Sequence, residues 1–598
     1  MARKCHYLAR NKANQIPASC LWFDTETIGT PNEDGEEVHH LNFGYAAHRR
    51  RKNDLHWCAP SWLRFTSLDE FWDWVESHCR DRTRLTIFCH NGQFDLPVLD
   101  AFNELPRRGF KMTNAIVEAP PMIITWKRGR QTIKFIDTLN IWAVPLADLG
   151  ESIGLPKLDM PKSKDSMSAW NAYGRRDTEI IMTACIKWFA FIREHNLGGF
   201  SPTLASQAFN AYRHRFMPVK IFLDNKDEAL EMSRRAYLGG RVEANRIGEY
   251  SGHFYHLDVN SMYPWVMAEH QYPYQLIGTY ALDDFTKLGE WLRKYALVAD
   301  VEINTNEPVY PCVHNNKLVF PTGRLKVTLT SPELSYALEH GHIHKITSLS
   351  VYKKANLFSE FVEFAWTERL KALDTNNTLA AWYLKIWANS LYGKWGQRGR
   401  FYVKYADTDD MSIKVWNSIH YQTSEVKHWR QFGGMIQHWV ENGEATNSFP
   451  AIAAHITAEA RMALWRLMTL ARRENVYYSD TDSILVNSKG YERCKHLIDP
   501  RTLGALKCEG EYQRVKLYGA KDYQFDELKR VKGVRRKATW VSEHTVEQVR
   551  FIGFRGLLRR GHLNAPIVTS QTKNLKRIYE KAVVTKNGHT RPLRFADW

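Results

Sequence analysis

The chain has 598 residues, enough for about four ordinary structural units, so a multidomain protein is expected. Hydrophobic residues make up 44% of it and aromatic residues 13%, which excludes a largely disordered chain. Lys and Arg outnumber Asp and Glu by 82 to 65, and the resulting formal charge of +17 predicts a polyanionic partner such as nucleic acid.

Cysteine usage and hydropathy bear on the compartment. The nine cysteines include no C-x-x-C pair, so neither a disulfide framework nor a zinc module is expected. Residues 1–15 are basic and polar and lack the apolar segment of a secretory signal, and no apolar run reaches membrane-spanning length. The sequence alone therefore predicts a soluble protein of the reducing cytoplasm.

The first third of the chain carries acidic residues at the ends of predicted strands. The apolar segment 21–26 contains Asp24 and Glu26, which share one face because alternate residues of a strand do so. A second apolar strand, 85–90, is followed by Asn91, Phe94 and Asp95. Carboxylates held this close repel one another unless cations lie between them.

A third acidic segment is predicted to be helical. Tyr173 and Asp177 are four residues apart, so on a helix they face the same way. Four acids on three elements, with a tyrosine that can orient water, predict a two-metal phosphodiesterase site.

A second group of acids lies in the other half of the chain. Asp258 ends a predicted strand, and Asp480 and Asp482 lie in a predicted strand–turn–strand, 476–486. Although these segments are far apart in sequence, together they can hold two Mg²⁺ ions roughly 3.5–4 Å apart. Such a site transfers nucleotides: one ion activates a primer hydroxyl and the other neutralises the leaving pyrophosphate.

Between these acids, a helix is predicted over 378–392, ending at Gly393. Lys385, Asn389 and Tyr392 lie on one face of it. The lysine can neutralise a triphosphate, and the tyrosine can stack against a base pair.

The first group of segments resembles the proofreading domain of B-family DNA polymerases, whose exonuclease motifs read D-x-E, N-x-x-F-D and Y-x-x-x-D. The resemblance implies metal ligands, a tyrosine that positions the attacking water, and two residues that hold the frayed 3′ end. A basic residue near the site is also implied, with Lys162 and Lys164 as equal candidates. The metal ligands, direct or through water, are Asp24, Glu26, Asp95 and Asp177; the tyrosine is Tyr173; the strand contacts are Asn91 and Phe94.

The second group resembles the three B-family polymerase motifs, here D-V-N-S-M-Y-P, K-I-W-A-N-S-L-Y-G and Y-S-D-T-D-S, and on it the chain is identified as a member of that family. Met262 replaces the usual leucine, a mild departure. The resemblance implies metal ligation by Asp258, Val259 and Asp482, with Asp480 in support. It implies that Tyr263 excludes a 2′-hydroxyl, and that the incoming nucleotide is bound by Ser261, Tyr263, Lys371, Lys385, Asn389 and Tyr392.

Smaller elements resemble the protein-primed branch, known from linear phage and plasmid genomes. Tyr237-Leu238-Gly239-Gly240 matches the template-contacting Y-x-G-G element, and Thr138 and Leu139 match a (S/T)-L-x-x-hydrophobic element that contacts single strands and the priming protein. Long gaps between the polymerase motifs leave room for insertions at 266–355 and 399–450. The second gap is long for this branch.

The C-terminal part is basic. Lys521 and Tyr523 match a K-x-Y element and would share a strand face suited to primer phosphates. Residues 529–537 hold six basic residues in nine and open a predicted thumb. By contrast, residues 405–410 (Y-A-D-T-D-D) imitate the last polymerase motif, but polar residues follow them, and we expect a surface loop.

The sequence therefore predicts an α+β multidomain protein with an RNase H-like exonuclease and a palm, fingers and thumb. The predicted activity is DNA synthesis with 3′→5′ proofreading, using two Mg²⁺ per site, with Mn²⁺ as an alternative. The protein is expected to be a monomer in the host cytoplasm. Its predicted partners are primer–template DNA, dNTPs and a priming protein. RNA-primed or primer-independent initiation, and a nuclease with an inactive polymerase half, remain open. The predicted divisions are 1–195 exonuclease, 196–250 linker, 251–265 palm, 266–355 insertion, 356–398 fingers, 399–450 insertion, 451–527 palm and 528–598 thumb.

Overall fold

The computed structural model describes residues 3–53, 56–118, 120–162, 164–282 and 285–596. Over these ranges the chain is a mixed α/β protein in which helices pack on several β-sheets. Within them, no helix is both long and apolar enough to cross a bilayer.

The N-terminal sheet has three parallel strands at its centre, Ser19–Pro31, Arg84–Cys89 and Gln131–Asp137. The segments of these strands that pair in parallel are largely buried, as expected for parallel strands covered on both faces. The helix Met167–Glu194 is capped by the Ser166 hydroxyl and covers one face. Further strands and helices of this part are Glu37–Asn53, Ser61–Phe65, Lys111–Val117, Met122–Arg128, Leu68–Ser77, Gly92–Val98, Ala101–Arg107 and Leu146–Ser152.

The central sheet is antiparallel, and the buried helix Pro450–Leu470 belongs to the main hydrophobic core beside it. In the sheet, Asp258 lies directly opposite Ser483, so sheet pairing brings the two distant acidic segments together. The strands, in spatial order, are Val242–Ala244, Val476–Asp480, Ser483–Asn487, Gly248–Val259, Leu506–Gly519, Asp522–Phe525 and Leu528–Val531.

The first predicted insertion forms a sheet with its own hydrophobic core. Its helices are Leu288–Lys294 and Ser331–Glu339, the second beginning with a capping box between Thr330 and Glu333. The strands, in spatial order, are Tyr272–Tyr280, Ile343–Ala355, Ala296–Thr305, Thr322–Thr330 and Arg594–Phe595.

Two helices, Ser359–Asp374 and Thr378–Trp395, form the predicted fingers. The second was expected to end at Gly393, but it continues to Trp395 and is followed by Gly396. The reason is tertiary: the Trp395 ring is fully buried and packs on Phe209 and Tyr212, which extends the helix by half a turn.

The second predicted insertion is a four-stranded sheet in the order Arg398–Asp407, Met435–Glu444, Val426–Phe432 and Lys414–Ile419. It packs on the N-terminal sheet: Phe432 and Met435 join its core, and the Gln437 side chain donates to the Ala115 carbonyl. The segment 405–410, which imitates the last polymerase motif, was expected to be a loop. It is instead strand as far as Asp407, because sheet pairing with Met435 extends the strand.

Within the described residues, Ala582–Val584 and Thr590–Pro592 form a small two-stranded sheet, and the other strands after residue 532 join larger sheets. Strands Thr545–Phe551 and Ile567–Asn574 extend the N-terminal sheet, with Val38 opposite Ile567, while Arg594–Phe595 extends the insertion sheet. The helix Phe554–Arg560 packs into the N-terminal core through Phe554 and Leu557.

The predicted linker, 196–250, is also integrated. It contains the helices Leu204–Ala211 and Asp227–Ala236 and the strand Ile221–Leu223, which pairs with His6–Leu8 near the start of the chain. Ala208 and Ala236 are buried in the main core, so the segment packs tightly between the two halves of the protein.

Candidate active sites

Three acids meet at the carboxyl edge of the parallel strands. Asp24, Glu26 and Asp177 each place a carboxylate oxygen within 4.8 Å of the others. Asp95, in the helix Gly92–Val98, accepts a hydrogen bond from Thr25 Oγ1 at 2.7 Å. Asp95 Oδ2 and Asp177 Oδ1 are buried without a hydrogen-bond partner in the described chain. Unsatisfied buried carboxylate oxygens with only oxygen donors around them fit a hard divalent cation.

The pKa shifts of these acids agree with a divalent cation at this cluster. Burial, reinforced by Asp95 and Asp177, raises the pKa of Asp24 well above its usual range. Burial also raises the pKa of Asp95, and it raises the pKa of Glu26 to about 7. The cluster thus resists carrying all its negative charge unless positive charge is added.

The positive side chain at this cluster is Lys157, which sequence reasoning missed. Its ammonium pairs with Asp177 and lies 4.2 Å from the centre of the Tyr173 ring. Arg176 donates to the Pro156 carbonyl at 2.9 Å, which holds this segment against the helix. The candidates Lys162 and Lys164 are instead exposed, so the lysine that the structure places at the acids is neither of them.

The two predicted strand-contact residues flank the cluster. Asn91 begins a helix with φ of 87°, and its backbone N–H donates to Asp137 at 3.0 Å. Phe94 is half-buried, with ring contacts to His39 at 5.4 Å and Phe551 at 5.8 Å. A partly exposed aromatic ring near the acids can stack on an unpaired base.

A second acidic pair lies at the central sheet. Val259 N–H donates to the Asp482 carbonyl at 2.8 Å, which places the backbone of residue 259 beside the pair. Burial first, and Asp482 second, raise the pKa of Asp258 to about 7. Burial also raises the pKa of Asp482, and nearby Lys385 opposes both shifts. Two close acids and a lysine from three separate segments fit metal-bound triphosphate.

Asp480 has a different environment from this pair. Its carboxylate accepts from the Tyr478 hydroxyl at 3.2 Å and pairs with Lys521 Nζ at 3.2 Å. The positive φ of Thr481, 63°, makes the turn that separates it from Asp482. Its protein partners fit the supporting role predicted for it.

The predicted nucleotide-binding residues meet beside Asp258. The rings of Tyr263 and Tyr392 stack, Ser261 begins the helix Met262–Glu269, and Asn389 is half-buried one turn from Lys385. Lys371 does not join them, because its ammonium is exposed and pairs with Glu368 at 2.8 Å.

Arg369, on the helix Ser359–Asp374 that also carries Lys371, is the cation that reaches Asp258. Its guanidinium donates to Ser261 Oγ at 3.0 Å and interacts with Asp258. Arg369 and Lys371 are two residues apart and so point to nearly opposite sides of the helix, a distinction that the sequence alone did not reveal.

The Y-x-G-G segment contacts the acidic turn. A Cβ on Gly240 would lie 2.7 Å from Thr481 Cγ2, so this close approach requires glycine. Arg461 anchors the segment by donating to the Leu238 and Gly239 carbonyls at 2.7 and 3.0 Å. The Tyr237 ring packs against Gly396, just beyond the helix that carries Lys385.

Comparisons with known proteins agree with this arrangement. A family model described as DNA polymerase type B, organellar and viral, matches residues 162–432. The DNA polymerase of Bacillus phage Nf is 25% identical over 511 residues, 76% of this chain and 80% of that protein, and the DNA-directed DNA polymerase of Enterobacteria phage PRD1 is 24% identical over 65% of this chain and 66% of that protein. The structure of phi29 DNA polymerase with primer–template DNA and incoming nucleotide superimposes with a TM-score of 0.67 at 18% identity, covering 94% of this chain and all of that one.

The chain thus resembles family B DNA polymerases of the phage type, in sequence over 76% of its length and in fold over 94%. The likeness to the phi29 structures confirms the predicted multidomain α+β fold.

Two of the predicted DNA contacts lie elsewhere than expected. Thr138 is fully buried, and its hydroxyl donates to the Cys89 carbonyl at 2.9 Å. It therefore holds the end of the strand Arg84–Cys89 in place and does not face a DNA strand. Leu139, beside it, is half-buried. Lys521 lies in a turn with φ of 60°, so it does not share a strand face with Tyr523, whose ring stacks on Phe525.

One further acid lies near Asp258. Glu509, on the strand paired with the Asp258 strand, raises the pKa of Asp258 and interacts with Arg369. It also pairs with Lys507 at 3.0 Å. The E-G-E run that contains it carries no local signal of a site, so only the sheet register reveals its position.

Proposed function

We propose that this chain is a DNA polymerase and that it also removes nucleotides from the 3′ end of DNA, using the cluster of Asp24, Glu26, Asp95 and Asp177. The observation that carries the proposal is the pair of buried, unpartnered carboxylate oxygens on Asp95 and Asp177. Burying such groups is costly unless a ligand satisfies them. A second, well-formed acidic cluster has no role in synthesis itself, which supports a separate hydrolytic reaction.

In this reaction, two divalent cations, Mg²⁺ or Mn²⁺, would activate water and stabilise charge on the phosphate. Asp24, Glu26 and Asp177 would hold them, with Asp95 acting directly or through water. The Tyr173 hydroxyl would orient the attacking water, and Lys157 keeps that ring beside Asp177. Phe94 would stack on the base of the frayed strand.

For synthesis, Asp258 and Asp482, with the Val259 carbonyl, would hold the two ions that serve the primer hydroxyl and the triphosphate. Lys385 and Arg369 supply positive charge for the phosphates. Tyr263 and Tyr392 form a flat apolar wall against which the sugar and the new base pair would pack.

We also propose that a monomer of this enzyme starts chains on a hydroxyl of a separate priming protein. The supporting observation is the insertion sheet, a separately packed body placed between the Asp258 and Lys385 segments, where such a partner would reach the site. Incubation with the partner protein and labelled dNTP should give a covalent nucleotide adduct. De novo synthesis on a primer-free circle would instead support primer-independent initiation, and extension of RNA primers alone would support RNA priming.

The decisive experiment is extension of a 5′-labelled primer–template in Mg²⁺, with and without dNTPs. We expect wild type to extend the primer with dNTPs and to degrade it without them. Asp258→Ala should lose only extension, and Asp24→Ala only degradation. If Asp24→Ala still degrades the primer, the proposed exonuclease site is wrong; if wild type only degrades it, the polymerase half is inactive.

A further inference from the structure

A cavity of about 850 Å³ lies on one face of the N-terminal sheet, between that sheet and the segment 199–213. Its volume is within the range of ligand pockets, about 300–1,000 Å³. No aspartate or glutamate is among the described residues that line it. The cations that line it are Arg51, Arg82, Arg84, Lys134, Arg213 and Lys394.

The cavity is distinct from both acidic sites. Arg84 begins the strand Arg84–Cys89, whose other end leads into Asn91 and Asp95, so the cavity lies about 17 Å from that end. Lys394 is nine residues beyond Lys385 on one helix, a rise of about 13–14 Å. The cavity therefore lies beyond the polymerase site along the helix, and at the opposite strand end from the exonuclease cluster.

Several of these cations lack compensating charge. In the described ranges, the side chains of Arg82, Arg84 and Lys134 have no carboxylate or hydrogen-bond partner. Lys134 is half-buried, and burial together with Arg84 lowers its pKa. Burial also lowers the pKa of Lys394, whose ammonium donates to Gln397 at 3.0 Å. Concentrated positive charge of this kind destabilises the empty cavity and favours a bound anion.

The start of the chain builds one wall of the cavity. Asn11 N–H donates to the Arg213 carbonyl at 3.2 Å, and the Ala13 and Gln15 carbonyls accept from Gly199 and Phe200 at 2.9 Å. Phe200 and Phe209 are among the residues that line the cavity, and their rings also pack on Phe88, Phe189 and Trp395. Cations interleaved with aromatic rings are the combination that binds single-stranded nucleic acid, through phosphates and stacked bases.

We propose that this cavity is a phosphate-binding site that holds the backbone of single-stranded DNA extending from the polymerase site. This inference rests on the proposed function and adds a third nucleic-acid contact to it. Arg82, Arg84 and Lys134 contact phosphates, and they do so without regard to base sequence.

The test is binding of a fluorescent primer–template with a single-stranded template overhang of about 12 nucleotides, a length within the site size of single-strand binders. EDTA prevents cleavage, and the salt concentration is varied. Removing two phosphate contacts in Arg84→Gln/Lys134→Gln should reduce the slope of log K against log salt by about 1.4, since each single-strand contact contributes about 0.7. With a one-nucleotide overhang, the variant should match wild type.

The matched control is Lys111→Gln/Lys127→Gln, which removes two exposed charges from the same sheet outside the cavity. An equal loss of slope in the control, or no loss in the cavity variant, would overturn the proposal. If the cavity variant unfolds, the exposed Arg82→Gln gives the same test with an expected slope change of about 0.7.

Two competitors separate the sources of phosphate. An unlabelled 12-nucleotide single strand should displace the overhang in wild type but much less in the cavity variant. Equal displacement by a single dNTP at the same concentration would assign the cavity to free nucleotides and overturn the DNA assignment. Wild-type primer extension is measured first, so an unchanged slope in an active enzyme contradicts only this inference and leaves the proposed function standing.

Discussion

The ring of Tyr263 stacks on the ring of Tyr392, with centroids 4.4 Å apart and planes 18° from parallel. Tyr263 comes from the helix after Asp258, and Tyr392 from the helix that carries Lys385. Their contact therefore joins two motifs that are far apart in the sequence, and it would form one wall of the proposed nucleotide pocket.

Replacing Tyr263 should weaken discrimination against ribonucleotides. Tyr263→Val opens space where a 2′-hydroxyl would otherwise collide with the ring, so the ratio of kcat/KM for dNTP over rNTP should fall by about 10–100-fold. Single-nucleotide incorporation kinetics measure this ratio. Tyr255 is a matched control, because it also stacks on a tyrosine, Tyr491, at 4.0 Å but lies away from the pocket. Unchanged selectivity in Tyr263→Val would contradict the assignment.

Lys157 should be required for degradation but not for synthesis. Lys157→Met removes the cation that pairs with Asp177 and holds the Tyr173 ring, so the exonuclease rate should fall by about 10–100-fold. Primer extension should remain near wild type. Lys162→Met, an exposed lysine nearby, should change neither rate, and a loss of degradation there would restore the sequence-based candidate.

Burial and charge repulsion in the cluster of Asp24, Glu26, Asp95 and Asp177 should destabilise the metal-free protein at high pH. Glu26 has its pKa raised from 4.5 to about 7, and that of Asp24 is also raised. An acid with a raised folded-state pKa favours folding when protonated, so this contribution is lost as pH rises towards and through 7. In EDTA at pH 8, Asp24→Asn should therefore raise Tm by roughly 1–3 °C.

With Mg²⁺ present, wild type should have the higher Tm, because it binds the ions and Asp24→Asn binds them poorly. Thermal melts with and without Mg²⁺ measure both effects, and the exposed Asp409→Asn serves as control. A lower Tm for Asp24→Asn in EDTA would show that the acids are not in electrostatic conflict.

The buried ion pair of Arg461 and Glu333, 2.8 Å apart, should separate stability from DNA handling. Arg461→Met leaves Glu333 buried without its partner and should cost about 3–5 kcal/mol of unfolding free energy. Arg461→Met/Glu333→Leu should recover most of that loss in denaturant titrations.

The double variant still lacks the donor that anchors the Leu238 and Gly239 carbonyls. We therefore expect a stable protein whose ratio of primer extension to primer degradation differs from that of wild type. A stable double variant with a wild-type ratio would mean that the anchor serves folding alone.

The segment 405–410, which imitates the last polymerase motif, should tolerate substitution. Asp407 is half-exposed and pairs with Lys404 in the second insertion, far in the fold from the central sheet. Asp407→Asn should extend primers at near the wild-type rate, whereas Asp482→Asn should not. Loss of extension in Asp407→Asn, with an unchanged melting curve, would contradict the choice of Asp480 and Asp482.

The sequence alone predicted the same chemistry for both acidic sites. Metal-dependent phosphoryl transfer needs carboxylates at short, fixed spacings, so Asp24 with Glu26 and Asp480 with Asp482 are recognisable locally. Helical periodicity likewise suffices to place Lys385, Asn389 and Tyr392 on one face.

Only the tertiary structure revealed which other side chains reach these sites. Lys157, Arg369 and Glu509 belong to no local pattern, and each arrives through the packing of a distant element. The C-terminal strands join the N-terminal sheet through backbone hydrogen bonds at Val38 and Ile567, and such bonds depend little on residue type. The cationic cavity combines side chains from several segments whose proximity is set by this long-range pairing, which no spacing in the sequence encodes.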